Sequence, residues 1–418
     1  MPLARVRRRL IPFLFVLYLV SYLDRVNVGF AALQMNAALH FSPAVYGFGA
    51  GIFFVSYVLF EIPSNLLLDR FGVRVWIARI MITWGVVSAA TMFVRDPASF
   101  FALRFLLGAA EAGFFPGIIL YLTRWFPARE RARAVAWFMT ATALAGVVGG
   151  PVSGVLLEFE GFGGLAGWQW LFLLEGIPAV LLGFAVLRWL PERPRDARWL
   201  TAEEQRAIEA AVDAERDEIR ATAHHRLAPA LTSGRVWLLA LIYFTIVVSF
   251  YGISLWLPQI VRSFAHGGNL EIGFLSAVPY LAAAIGMVFV AARSDRRGER
   301  GAYVALSALA GAAGFLAAAA LHDPAASLAA LSLAAFGVWS TLGPFWTFPP
   351  RFLVGSAAAG GIALINSVGN IGGFAGPYLL GYIRDRTGTF TWGLRALALS
   401  LVFTAVLALL VRRTIRSG

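Results

Sequence analysis

"DRFGVR" at Asp69–Arg74 and "DRRGER" at Asp295–Arg300 are one D-R-x-G-x-R pattern met twice, 226 residues apart. At the same offset Gly85 meets Gly311, Gly146 meets Gly372, and Gly150–Pro151 meets Gly376–Pro377. Loop and helix landmarks that agree at one offset argue for duplication of a structural unit. Each copy of the motif follows a long apolar run, and its Gly supplies backbone freedom for a short turn.

Those apolar runs set the class. Of 418 residues, 59% are hydrophobic and 14% charged, and the mean hydropathy is +0.73. A soluble core stops growing well below this size, so a soluble helical protein of this composition is excluded. Runs of about 20 apolar residues match the hydrocarbon thickness of a bilayer. Twelve are read: 10–33, 44–68, 76–94, 99–123, 132–157 and 169–190, then 235–262, 272–293, 301–321, 326–349, 356–382 and 390–411. The fold expected is an all-α polytopic membrane protein, twelve transmembrane helices in two pseudo-symmetric six-helix bundles. Its divisions are 1–190, a cytoplasmic linker at 191–234, and 235–418.

All 35 basic residues are Arg, and the net charge is +12. With the heavy Ala and Gly usage, this points to a GC-rich bacterial genome. The Arg residues are scattered over short loops without forming a stripe, so nucleic acid is not an expected partner. Zero Cys excludes disulfides and thiolate metal sites. Five His with one adjacent pair, His224–His225, indicate no metal site. No cofactor loop or nucleophile–base set is present, so neither a cofactor nor an enzyme is expected.

Arg placement gives the orientation. With both termini cytoplasmic, about 28 of the 35 Arg lie inside and about five outside. Inner segments carry Arg5, Arg7, Arg8, Arg9, Arg124, Arg129, Arg131 and Arg133, whereas the outer loops "QMNAALHFSP" and "EFEGFGGLAG" carry none. The basic, apolar N-terminus imitates a signal peptide, but its apolar stretch runs on to Leu33 without a small-residue cleavage site. It reads as an uncleaved first helix. In the linker, Thr201 with Glu204 forms a capping-box start to a charged, solvated helix.

The two D-R-x-G-x-R loops fall on the cytoplasmic side. Asp69, Arg70, Arg74, Asp295, Arg296 and Arg300, joined by Glu61, are expected to form a cytoplasmic gate that breaks when the halves rock apart. The bland alternative is a positive-inside anchor. The whole chain here resembles the major facilitator superfamily. One departure is that the family's first loop begins with Gly four residues before the Asp, where this chain has Asn65.

Within the membrane, "YLVSYLDRVNVGF" at Tyr18–Phe30 places Asp24 beside Arg25, and the fourth run holds Arg104 and Glu111. Each charge at mid-membrane costs about 2.5–3.5 kcal/mol on insertion scales. Asp24 and Arg25 point about 100° apart around a helix, so each needs another partner. Arg104 and Glu111 are seven apart and share a face. These four are expected to line one charged cavity between the first and fourth helices. A substrate carboxylate would compete with the two acids for the two guanidiniums, coupling anion binding to proton binding. The alternative is a pair of structural ion pairs.

"YLDRVNV", "RFLLGAAEAGFFPGIILYLTRWFP" and "GWQWLFLLEGIPAVLLG" resemble the anion:cation symporter family, in its bacterial tartrate, phthalate, hexuronate and sugar-acid branch. The resemblance implies that Arg25 and Arg104 face substrate and that Asp24 and Glu111 are proton-linked. It makes Tyr22 and Tyr57 pocket hydroxyls, with Asn366 and Asn370 available for substrate hydroxyls. Packing and interhelical hydrogen bonding are the plain alternatives for the tyrosines and asparagines. Glu175 is read as a structural hydrogen-bonding group.

The function expected is proton-coupled import of a small organic anion by alternating access, in the bacterial inner membrane, by a monomer whose partners are the anion, protons and the lipid bilayer. "GVVGGPVSG" at Gly146–Gly154 resembles a pattern of antiporters and exporters, so exchange or export is the alternative. A transporter-like sensor is a remote one, since no signalling domain is visible.

Overall fold

The computed structural model describes residues 2–127, 130–131, 134, 140–222, 232–349 and 356–416, and the described elements are helical. In chain order they are α1 Pro2–Ala38, α2 Pro43–Phe71, α3 Val73–Ala90, α4 Pro97–Glu111, α5 Phe114–Thr123, α6 Ala141–Leu157, α7 Gly167–Trp189 and the linker helix α8 Ala202–Thr222. The second set is α9 Gly234–Arg262, α10 Asn269–Arg297, α11 Arg300–Ala320, α12 Pro324–Ser340, α13 Leu342–Phe345, α14 Ser356–Thr387 and α15 Thr391–Arg416. Among the described residues ten helices are long and apolar enough to cross a membrane, α4 with α5 and α12 with α13 each counting as one. The other two expected spans are α6 and α14. Arg129, Arg133 and the His224–His225 pair lie outside the described residues.

Short polar caps start and stop these helices. Ser42 accepts from the Val45 N–H at 3.3 Å, with Pro43 opening α2. Asp96 accepts from the Ser99 N–H at 2.7 Å, ahead of Pro97 on α4. Such caps satisfy amide groups that the first helical turn leaves unpaired. In the D-R-x-G-x-R loops, Gly72 (φ +89°) and Gly298 (φ +69°) adopt left-handed φ values, which explains the Gly of the motif. Thr201 and Glu204 form the expected capping box, at 3.0 and 3.2 Å. Arg5 then ties α1 to α8 through Glu204 at 2.9 Å.

One expectation on continuity is corrected. The run 99–123 is two helices, because Ala112 leaves helical geometry and Gly113 has a φ of +87°. A Cβ at Gly113 would stand 2.4 Å from Ser64 Oγ, which itself donates to the Ala112 carbonyl at 2.6 Å. The break thus has a partner on α2 that takes the freed carbonyl.

The first set packs as α1 on α6 and α7, α2 on α4, and α3 on α7; the second as α9 on α14 and α15, α10 on α12, and α11 on α12 and α15. Among the described residues the main crossings between the sets are α2 with α14, α6 with α10, and α1 with α9. Small residues let the crossing backbones close. A Cβ at Gly150 would meet the Gly273 carbonyl at 2.3 Å, and one at Gly47 the Pro377 carbonyl at 2.6 Å. The 226-residue offset maps Gly47 to Gly273 and Gly150 to Gly376, whose neighbour Pro377 supplies the carbonyl that Gly47 meets, so the two crossings correspond to within one residue. They also lie toward the end carrying the loops at 39–42, 158–166 and 263–268.

The outward faces are apolar. Leu66 (69% exposed), Val288 (62%) and Leu306 (62%) are among many large side chains presented outward. In water such a surface is an aggregation liability; in lipid it is matched.

Candidate functional site

The charged residues of α1 and α4 are buried as the sequence leads one to expect, but in a different grouping. Arg25 Nη2 forms an ion pair with Glu111 Oε1, the two side chains 12% and 2% exposed. Ser21 Oγ donates to the same carboxylate oxygen at 2.9 Å. Arg25 Nη1 donates to the Tyr251 hydroxyl at 3.1 Å, reaching α9 in the second set. Its Nε is buried and has no hydrogen-bond partner among the described residues.

Asp24 faces away from that pair, a consequence of successive helical residues diverging around the axis. Its carboxylate accepts from Trp84 Nε1 and Ser88 Oγ on α3, and from Asn27 at 3.0 Å. Among the described residues no cation pairs with it. Trp84 and Ser88 lie one turn apart on α3, a pairing that became meaningful only once α3 was placed beside α1.

Arg104 is fully buried. Its Nε and Nη2 donate to the Gly49 and Ala50 carbonyls of α2, at 3.4 and 3.3 Å, and Nη1 has no partner among the described residues. The expected single cavity of four charges is therefore corrected to a pair, a separately held acid and a separately held base. What joins the two bases is Phe53. The Arg25 guanidinium carbon lies 5.4 Å from its ring centroid and the Arg104 guanidinium carbon 5.1 Å. An aromatic ring within reach of two cations is attractive to both.

Tyr57 stacks on Phe53, with centroids 6.0 Å apart, and its ring also sits 5.4 Å from the Arg25 guanidinium. Tyr22 is buried edge-on against Phe250. The Asn366 amide donates to Glu61 Oε1 at 3.0 Å, bridging α14 to α2. Glu61 is buried, its Oε2 without a partner among the described residues, unlike the exposed Asp69, Arg70, Asp295 and Arg296 of the expected gate. Asn370 is partly exposed on the next turn of α14. Glu175 accepts from Ser153 at 2.8 Å, joining α7 to α6.

At the opposite end, Asp69, Arg70, Asp295 and Arg296 are exposed. Arg300 and Asp295 approach within their own loop at 3.7 Å. Among the described residues no ion pair joins the two D-R-x-G-x-R loops. Among the described residues the acid that holds the first loop is Glu192, which no sequence motif marks. It accepts from the Val73 and Arg74 N–H groups at 2.9 and 2.8 Å and pairs with Arg124. Asp69 ends a helix and faces solvent, whereas Glu192 follows Pro191 and turns back over the start of α3.

The fold and this centre define a polytopic helical membrane protein with a buried charged site at the contact of its two repeats. The model of the Major Facilitator Superfamily matches residues 14–377, and the chain belongs to that family. It is a transporter family, so the chain is a membrane transporter and not an enzyme. The chain is 50% identical over 412 residues to the "Putative tartrate transporter" of Agrobacterium vitis, covering 99% of this chain and 91% of that one. It is 43% identical over 403 residues to the "Quinolone resistance transporter" of Acinetobacter baumannii, covering 96% and 93%. In fold it matches a bacterial homolog of the human lysosomal transporter Spinster, solved in an inward-facing and occupied conformation. That match has a TM-score of 0.80 at 18% identity, over 98% of this chain and 97% of the other.

Proposed function

We propose that this transporter carries a small organic anion inward together with a proton, in the bacterial inner membrane with both termini cytoplasmic. The observation that carries the reading is the pair of guanidiniums beside Phe53, each with a buried nitrogen donor unused among the described residues, Arg25 Nε and Arg104 Nη1. Buried unpaired donors are costly, and a carboxylate answers both charge and geometry, since guanidinium recognises carboxylates bidentately. A dicarboxylate such as tartrate, suggested by the Agrobacterium vitis relative, would engage both cations.

An anion on Arg25 competes with Glu111. Once displaced, the Glu111 carboxylate is buried without its cation, a state relieved by taking up a proton. Asp24 is the second proton-linked acid. Its donor Ser88 has a hydroxyl that both donates and accepts, so it can serve either form of the carboxyl. Tyr22, Tyr57 and Asn370 complete the substrate surface. The Glu61–Asn366 bridge and the loop residues Asp69, Arg70, Arg74, Asp295, Arg296 and Arg300 act in gating.

Movement is alternating access by two units, 1–190 and 235–418, connected by the linker 191–234, in a monomer. The close backbone contacts at Gly47, Gly150 and Gly273 support an arrangement closed on the outer side.

The test is uptake of radiolabelled tartrate into proteoliposomes, with and without an inward proton gradient. Gradient-accelerated uptake that is lost in Arg25→Ala supports the proposal. Equal uptake without the gradient, with counterflow intact, supports the second reading, exchange or export, which the quinolone resistance relative and the Gly-x-x-x-Gly-Pro stretch of α6 favour.

A further inference from the structure

Far from the central site, α1, the end of α7 and the first residues of the linker enclose a cavity of about 660 Å³. Four guanidiniums line it: Arg9, Arg74, Arg188 and Arg198. Among the described residues none of the four is in an ion pair, and Arg74 Nε is buried without a partner. One acid, Asp196, also lines the cavity, but it accepts from the Arg193 backbone N–H at 3.0 Å as a local cap. The lining is thus strongly positive. Like charges gathered around one partly enclosed space repel, and an anion between them removes that cost.

The walls are apolar and aromatic. Phe13 meets Trp189 edge-on at 6.1 Å, and Trp189 is 68% exposed on the outside of the bundle. Arg9 lies 5.3 Å from the Trp199 ring, which stacks in turn on Trp125. Cationic floor, aromatic rim and an open apolar flank fit a ligand with an anionic head and apolar tails. Arg188 and Trp189 end α7, and Arg9 lies near the start of α1, which places the cavity at a membrane boundary. It is the inner boundary in the orientation proposed above, where basic pockets meet anionic lipid headgroups.

We propose that this cavity binds a phosphate group, supplied by an anionic phospholipid whose acyl chains run down the Phe13–Trp189 flank. Arg9, Arg188 and Arg198 contact the phosphate oxygens, and Arg74 gives it a fourth cation at the first D-R-x-G-x-R loop. The lipid ties α1, α3, α7 and the linker together at one point.

The experiment titrates the full-length protein, stripped of lipid in neutral detergent, with dioleoyl-phosphatidylglycerol, dioleoyl-phosphatidylcholine or glycerol 3-phosphate. Bound molecules are counted by native mass spectrometry. Phosphatidylglycerol should bind at least about tenfold more tightly than phosphatidylcholine, a difference of about 1.4 kcal/mol. Arg188→Gln with Arg198→Gln should abolish that preference while eluting as a monodisperse protein. Arg9→Gln should reduce it, and Arg395→Gln, an exposed residue at the opposite end of the bundle, should preserve it. Glycerol 3-phosphate binding as tightly as the lipid, and lost in the double variant, supports the phosphate site with a soluble source. Equal binding of the two lipids by the wild type, or a preference that survives in the double variant, overturns the proposal.

Discussion

Arg25 and Tyr251 are 226 residues apart, the offset at which the sequence repeats, and their side chains meet at 3.1 Å. The α1 helix and its counterpart α9 therefore touch at equivalent positions, one contributing a cation and the other a hydroxyl. An anion that takes hold of Arg25 acts on both repeats at once. Tyr251→Phe removes one hydrogen bond to a charged group, worth about 1.5 kcal/mol at its lower bound. Calorimetry should show tartrate affinity falling by about tenfold in a protein that still folds. Unchanged affinity would take Tyr251 out of the site.

The Arg25–Glu111 pair is buried, so breaking it from one side leaves the other charge exposed to low dielectric. Arg25→Ala should destabilise the protein by about 3–5 kcal/mol. Adding Glu111→Gln to that variant removes the stranded carboxylate and should recover much of the loss. Thermal unfolding in detergent of wild type, both single variants and the double variant measures the coupling; additive losses would mean that the two groups do not interact.

Asp24 accepts from three donors and pairs with no cation among the described residues. Asp24→Asn turns an acceptor into a donor facing Trp84, Ser88 and Asn27, a mismatch costing about 1–3 kcal/mol. Ser88→Ala, which removes one donor, should cost about 1 kcal/mol and retain uptake. The Asn variant should lose proton-driven uptake. Proton-driven uptake at the wild-type rate in Asp24→Asn would remove Asp24 from coupling.

The twelve-helix fold was legible because apolar length and the repeated loop are properties of the chain itself. The buried charges were legible for the same reason, being expensive wherever the bilayer surrounds them. Their grouping was not. Whether Asp24 meets Arg104 or Trp84 depends on how α1 rotates against α3 and α4, and neighbouring residues differ by only one position in sequence. Glu192 escaped notice because its work is done for backbone N–H groups of α3, for which no side-chain pattern exists. Asp69 drew attention through its repetition, yet in the fold it faces solvent.

That contrast gives a direct comparison. Glu192→Ala removes two charge-assisted hydrogen bonds and the partner of Arg124, whereas Asp69→Ala removes an exposed side chain that among the described residues is in no ion pair. Unfolding measurements should show a loss of about 1.5–3 kcal/mol for the first, the size of a hydrogen bond to a charged group, and within about 0.5 kcal/mol for the second. The reverse order would contradict the assignment of Glu192 as the acid that organises the first loop.

The central claim is that anion binding to Arg25 releases Glu111 to take a proton. The direct measurement is the pH change of a weakly buffered solution of purified protein when tartrate is added. Wild type should take protons from solution in step with tartrate bound, and Glu111→Gln should bind tartrate while taking up fewer. Saturable tartrate binding by the wild type with no proton uptake, or the same uptake by Glu111→Gln, would contradict it.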